Sequence, residues 1–251
     1  MKHEVVITFP STKWEEYGKH VLPTFDKFWP EDVSANVYLE GEQKLPMEFS
    51  DRVNIIDMET IIEPVHSFEK RNESRGIMDM GTTGNIKFQA AKFARKVYAQ
   101  LDTLKNSEAR YVWYLDADVA TLNPISHELL DNLTSTGAYI GCLPRKPKYT
   151  ETGFIMWDTH HPAHQEWMDL YESCYRDDVI FQYDAWHDCI AFDHATDILI
   201  KEQKINIVDF GYGARSSHPL VAGPLGAYFD HMKGHRKFAG FSKERVAKHG
   251  R

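Results

Sequence analysis

The chain has 251 residues, 42% of them hydrophobic and 13% aromatic, enough to bury a sizeable core in one domain and to exclude a disordered chain. Its 29 Lys and Arg against 37 Asp and Glu leave a formal charge of -8, which excludes general nucleic-acid binding, since that needs a basic face against phosphate. Three cysteines, Cys142, Cys174 and Cys189, are too few and too irregularly spaced for a disulfide framework or a zinc cluster, and read as packing residues in a reducing compartment.

At the start, "MKHEVVITFPS" holds an apolar run too short for a secretion signal, and no stretch approaches a membrane span, so the expected location is the cytoplasm. The β-branched runs "EVVITF", "ANVYLEG" and "RVNIIDM" predict parallel strands joined by crossovers. Residues 66–84 carry mixed charge, several glycines and no apolar period, which predicts a long loop. From Asn85, the residues Ile86, Ala90, Phe93, Ala94, Val97, Leu101 and Leu104 recur at steps of three and four, predicting an amphipathic helix. "YVWYL" then reads as a central strand buried on both faces, because its aromatics have no place in water.

"GAYIGCLP" and "TGFIMWDT" are two further expected strands, Pro162 begins a helix, and another helix runs from about Ala185 to Glu202. The stretch from "KINIVDF" to "KFAGF", rich in Gly and aromatics, reads as loops over a site, and the basic end "SKERVAKHGR" reads as helical. Strands alternating with helices, without internal repeats, predict one α/β domain over residues 1–251 with a mostly parallel central sheet flanked by helices.

Asp116 and Asp118 sit where "YVWYL" ends, the sheet edge at which ligands bind in open α/β folds. Two carboxylates there repel, and a divalent cation such as Mn²⁺ or Mg²⁺ relieves the repulsion; a turn before "TLNP" explains the same residues. Far downstream, "HMKGHRK" has the form His-x-x-Gly-x-x-Lys. His231 offers a nitrogen ligand, Gly234 a close backbone approach and Lys237 a charge for a diphosphate; a solvated basic loop is the plainer reading.

The pairing of "YLDADV" with that late motif resembles the metal-dependent glycosyltransferases of the GT-A fold, particularly the retaining glycogenin and galactosyltransferase-like family 8. The resemblance implies a single GT-A (Rossmann-like) domain, with residues 1–124 as its nucleotide-binding half and 125–251 as its acceptor and donor-sugar half. It implies Mn²⁺ (or Mg²⁺) on Asp116, Asp118 and His231, with Ala117, Gly234 and Lys237 on the donor, which would be a UDP-sugar. The separation of 113 residues (231 − 118) fits the family.

"TETGFIMWDT" is similar to the family's donor-sugar segment, with Glu151 in place of the usual Asn and Thr152 and Gly153 beside it. "AWHDCIAFD" stands where the family carries its Asp-Gln segment, putting Asp188 against the reacting sugar. Phe238 and Ala239 follow Lys237 where the family has Pro-Trp. The implied activity is hexosyl transfer to an acceptor hydroxyl on a glycan, a lipid-linked sugar, a protein or another compound. Retention needs no strong base; inversion would make Asp188 or Glu151 the general base.

Lys92 and Lys96 share a helix face from which one reaches donor phosphates, or simply a solvated face. Thr8 and Phe9 end the first strand, where a base would lie or where Phe9 is core. His160, His161 and His164 lack a fixed carboxylate partner, and the tryptophans Trp14, Trp29, Trp157, Trp167 and Trp186 are core or line an acceptor groove. "YLDADVAT" also resembles the nucleophile motif of haloacid dehalogenase-like phosphatases, but those carry it on the first strand, and Ala120 holds the diagnostic place here. A sugar-nucleotide or glycan binding protein without turnover is the non-enzymatic alternative.

Overall fold

The computed structural model describes residues 2–75, 88–213, 218–234 and 236–245. Its elements run β1 (His3–Pro10), α1 (Gly18–Phe28), β2 (Ser34–Glu40), β3 (Val53–Asp57), α2 (Glu63–Arg71), α3 (Ala90–Asn106), β4 (Tyr111–Leu115), β5 (Val119–Thr121) and α4 (His127–Thr134). They continue with β6 (Ile140–Arg145), β7 (Lys148–Asp158), α5 (His164–Arg176), α6 (Asp188–Lys201), β8 (Ile207–Asp209), α7 (Pro219–Ala222), β9 (Phe229–His231) and α8 (Arg236–Ala239).

A seven-stranded sheet has the order β3-β2-β1-β4-β7-β6-β8, and β5 and β9 form a separate two-stranded sheet. The pairs β1–β2, β2–β3, β1–β4 and β6–β8 are parallel, while β7 runs antiparallel to β4 and β6. The fold is therefore α/β with a mostly parallel sheet flanked by helices, as the sequence predicts. β4 is buried along its whole length because both faces are covered. Val112 and Tyr114 join the core shared with α2, α3, α5 and α6, whereas Tyr111, Trp113 and Leu115 join the core under α1 and α4. The five carbon-rich side chains of this strand anchor the edge at which the acids stand.

Several expectations need correction. Residues 66–71 belong to α2 rather than to a loop, because Val65 and Phe68, three apart, bury one face in the core; residues 76–84 lie outside the described set. The start of the next helix at Asn85 and Ile86 also lies outside it, and α3 is described from Ala90. α5 begins at His164, two residues after Pro162, and α6 at Asp188 rather than near Ala185. The final third is not all loop: β8 pairs with β6 and β9 with β5, each strand only three residues long and so too short to show a period of two. Of the basic end, 243–245 is helical and 246–251 lies outside the described residues. No helix among the described residues is long and apolar enough to cross a membrane.

At the other end of the central strands, His3 is buried, its ring stacked on Tyr111 and its Nδ1 accepting a 3.2 Å hydrogen bond from Trp113 Nε1. Burial, with Lys2 adding to it, lowers its pKa to about 4. The unfolded chain takes up a proton near pH 6.5 that the folded chain refuses, so stability falls as pH drops from about 6.5 to about 4. The contribution is about 2 kcal/mol after solvent screening. Urea midpoints at neutral and mildly acid pH are expected to lie closer together in His3→Gln, whose amide oxygen can still accept from Trp113.

Candidate active site

The site is built where β4 runs out. Asp116 N donates to Gly153 O at 2.9 Å, tying the strand end to β7, and Val119 N donates to Asp116 O at 2.8 Å, closing a turn. A backbone turn does follow the strand, but the two carboxylates reach Lys96, Tyr114, His231 and Lys237 rather than capping it. β5 follows at once and pairs antiparallel with β9 in the register Val119↔His231, with Met232 N donating to Asp118 O at 2.9 Å. Trp29 Nε1 holds the far end of β5 through Thr121 Oγ1 at 3.0 Å. Backbone pairing, rather than side-chain attraction, therefore carries His231 across 113 residues (231 − 118) of chain to the acids.

His231 Nε2 lies 3.1 Å from Asp118 Oδ1 and 3.6 Å from Asp116 Oδ2. That nitrogen is buried and makes no hydrogen bond, so its lone pair or proton is directed into the acid cluster without a protein partner of good geometry. One ligand atom each from Asp116, Glu151 and His231 lie within 4.8 Å of one another, a group able to hold a metal ion. Gly153 makes the convergence possible. A Cβ there would stand 2.4 Å from His231 Cε1 and 2.8 Å from Asp116 Oδ2, closer than real Cβ contacts allow.

Cations surround the acids. Lys96 Nζ, almost buried, lies 2.7 Å from Asp116 Oδ1 and 2.6 Å from Asp188 Oδ2, and Tyr114 donates to Asp116 Oδ1 at 3.0 Å. Thr152 Oγ1 donates to Asp188 Oδ2 at 2.6 Å. Lys237 Nζ sits 3.2 Å from Asp118 Oδ2 and 3.8 Å from the Tyr17 ring centroid. Glu151 pairs with Lys233 and, at 3.0 Å, with Arg145.

Burial raises the carboxyl groups of Asp118, Glu151 and Asp188, and the charges beside them overcome it. His231 and Lys237 hold Asp118 well below the usual carboxylate range, Lys233, His231 and Arg145 hold Glu151 at about 2, and Lys96, His187 and a hydrogen bond from Thr152 hold Asp188 at about 2. Burial lowers Lys96, but Asp116 and Asp188 raise it well above its ordinary value; burial likewise lowers Lys237, and Asp118 with Tyr17 raises it. Asp118, Glu151, Asp188, Lys96 and Lys237 are therefore charged at neutral pH.

The acids open onto a pocket of ≈ 920 Å³. Of the residues singled out from the sequence, Thr8, Phe9, Lys92, Lys96, Ala117, Thr152, Gly234 and Lys237 all line it. Gly234 has φ +60, a left-handed turn conformation that leaves its exposed backbone free to approach a ligand. Lys96 is not on a solvated face. Phe9 is 2% exposed and packs in the core while forming part of the wall, and Thr8 Oγ1 is buried without a hydrogen-bond partner.

Other readings fall to packing. His164 is a core residue, its Nδ1 3.0 Å from Tyr139 Oη, and His161 stacks on Tyr139. Trp29, Trp157 and Trp167 are core, and no tryptophan lines the pocket. Cys142 and Cys174 pack as expected, but Cys189 Sγ lies 3.1 Å from Thr152 Oγ1 at the site. Arg145, Lys233, Tyr114 and Tyr149 escaped the sequence reading. Lys233 alone had a signal, standing inside the His-x-x-Gly-x-x-Lys run.

No protein-family model and no curated protein matches the chain. Among solved structures it is similar to the crystal structure of mouse xyloside xylosyltransferase 1 in its apo form, with 11% identity and a TM-score of 0.49 over 88% of this chain and 92% of that one. At that level of likeness the chemistry of the site is read from its own residues.

Proposed function

We propose that this protein is a GT-A-type glycosyltransferase, moving a sugar from a nucleotide diphosphate donor, a UDP-sugar, to an acceptor hydroxyl. The observation that carries the reading is the convergence of Asp116, Asp118 and His231 at the C-terminal edge of the sheet, with the His231 nitrogen 3.1 Å from one acid and 3.6 Å from the other. Residues 1–124 would bind the nucleotide, with Thr8 and its unsatisfied hydroxyl at the base end, and residues 125–251 the sugars.

Two carboxylates with one imidazole suit Mn²⁺ better than Mg²⁺, which prefers oxygen ligands, and the buried, hydrogen-bond-free His231 Nε2 and the side-chain-free cradle at Gly153 fit an ion held by Asp116, Asp118 and His231. When bound, such an ion supplies charge neutralisation to a leaving diphosphate. Gly234 and Lys237 would hold that diphosphate, and Lys92 extends the cationic wall. The acceptor oxygen bonds to the anomeric carbon as the bond from that carbon to the diphosphate oxygen breaks, and the acceptor proton passes to the departing diphosphate.

Asp188 is paired with Lys96, and Glu151 with Lys233 and Arg145, so neither carboxylate stands free to take that proton, which favours retention over inversion. Asp188 instead holds Lys96 and Thr152 against the donor sugar. Screening nucleotide sugars for Mn²⁺-dependent release of nucleoside diphosphate tests the reading. Donor binding without turnover under any metal would favour a binding protein instead. Gly153→Ala is expected to displace the His231 ring and weaken Mn²⁺ binding by about tenfold or more, measured by calorimetric titration, at an overpacking cost of about 1–3 kcal/mol in stability that leaves the chain folded.

A further inference from the structure

We propose that the pocket wall beyond Asp188, built on Tyr149 with His187 and Phe93, is the acceptor subsite, and that it takes a saccharide with a pyranose face lying on the Tyr149 ring. The inference rests on the glycosyltransferase reading above and names its second substrate. Strand order supplies the direction. β1, β4, β7 and β6 are successive neighbours in the sheet, and the pocket runs along their ends from Thr8 and Pro10 past Asp116 to Glu151 and Arg145. A donor laid with its nucleoside on β1 and its diphosphate at Asp116 and Asp118 brings its sugar to Thr152 and Asp188. Tyr149 lies on β7 three residues before Thr152 and lines the same pocket.

Tyr149 is suited to a sugar. Its ring packs edge-on against His187 with centroids 5.0 Å apart, and His187 packs edge-on against Phe93 at 5.9 Å, so three rings brace one another. Its backbone is fixed as well, since Arg145 Nε donates to Tyr149 O at 2.9 Å while the same guanidinium pairs with Glu151. Yet Tyr149 remains 37% exposed. An aromatic held in place but left open, next to buried polar groups, is the makeup of a small-molecule site in which apolar area supplies affinity and a few polar atoms supply orientation. Tyr212 and Phe238 are more exposed but do not line the pocket, so exposure alone does not single Tyr149 out.

The test measures diphosphate release from the nucleotide sugar with Mn²⁺, in water alone and with methyl glucoside, galactoside or mannoside added. Each variant is scored by the ratio of the two rates, so that a general loss of activity cancels. At least one pyranoside is expected to accelerate release in the wild type. Tyr149→Ala is expected to lower that ratio by about tenfold and raise the pyranoside KM, whereas Tyr149→Phe, which keeps the ring, retains it. An undiminished ratio in Tyr149→Ala, or acceleration by an oligonucleotide or a hydroxyl-bearing peptide and by no pyranoside, would overturn the subsite while leaving the donor chemistry intact. Absence of any donor turnover in the wild type would instead remove the premise, and the subsite with it.

Discussion

Asp118→Asn is expected to lower Mn²⁺-dependent release of diphosphate by about a hundred- to a thousandfold while the protein stays folded. The carboxylate is nearly buried, 3.1 Å from His231 Nε2 and 3.2 Å from Lys237 Nζ, so it neutralises one cation and stands beside a metal-capable nitrogen at once. The amide keeps the shape and one oxygen but removes the charge. His231 and Lys237 hold Asp118 well below the usual range against its burial, so the wild-type group is ionised at neutral pH. Lys237 keeps the Tyr17 ring as a partner, which limits the loss of stability. Parallel turnover assays and thermal melts separate the two effects, and wild-type turnover in the variant would count against the site.

Lys96→Met should have the largest effect on stability, about 3–5 kcal/mol. Lys96 is the shared counter-charge of Asp116 and Asp188, at 2.7 and 2.6 Å, and Asp188 is only 2% exposed. Without it Asp188 keeps Thr152 as a hydrogen-bond donor but is a buried charge with no ion pair. The pH dependence should change sign. In the wild type, the Asp188 carboxyl at about 2 contributes stability that is present above its unfolded value of 3.8 and lost as pH falls toward about 2. In the variant, burial without the lysine raises the carboxyl, so stability should fall as pH rises through the raised pKa. Denaturant midpoints across mildly acid to mildly basic pH report this directly. Adding Asp188→Asn to Lys96→Met should recover much of the loss, and additive losses would show that the pair is not coupled.

The parts of this protein legible in its sequence are those with long or chemically loud signals. β4 is legible because five apolar residues in a row have nowhere to go but a two-sided core, and Asp116 and Asp118 because carboxylates directly after such a strand mark its open edge. His231 is legible only through its spacing to Gly234 and Lys237. The device that delivers it, three residues of β9 on three of β5, is too short to carry a period and looks like loop in the sequence. Arg145 and Tyr149 were invisible because they come to the site through the β6–β7 hairpin, whose register shifts between Leu143 and Arg145 break the alternation that would place them. Lys96 was seen as one face of a helix, but nothing local shows that this face turns inward. Its charge is tolerated there because two acids from distant strands and helices meet it.

The most direct test of the central claim is pulsed electron paramagnetic resonance on Mn²⁺ bound to the protein with UDP. The site described here gives one ion per chain with ¹⁴N modulation from the His231 imidazole, and the modulation disappears in His231→Ala. Mn²⁺ bound without nitrogen coupling, or coupling that survives in His231→Ala, would contradict it.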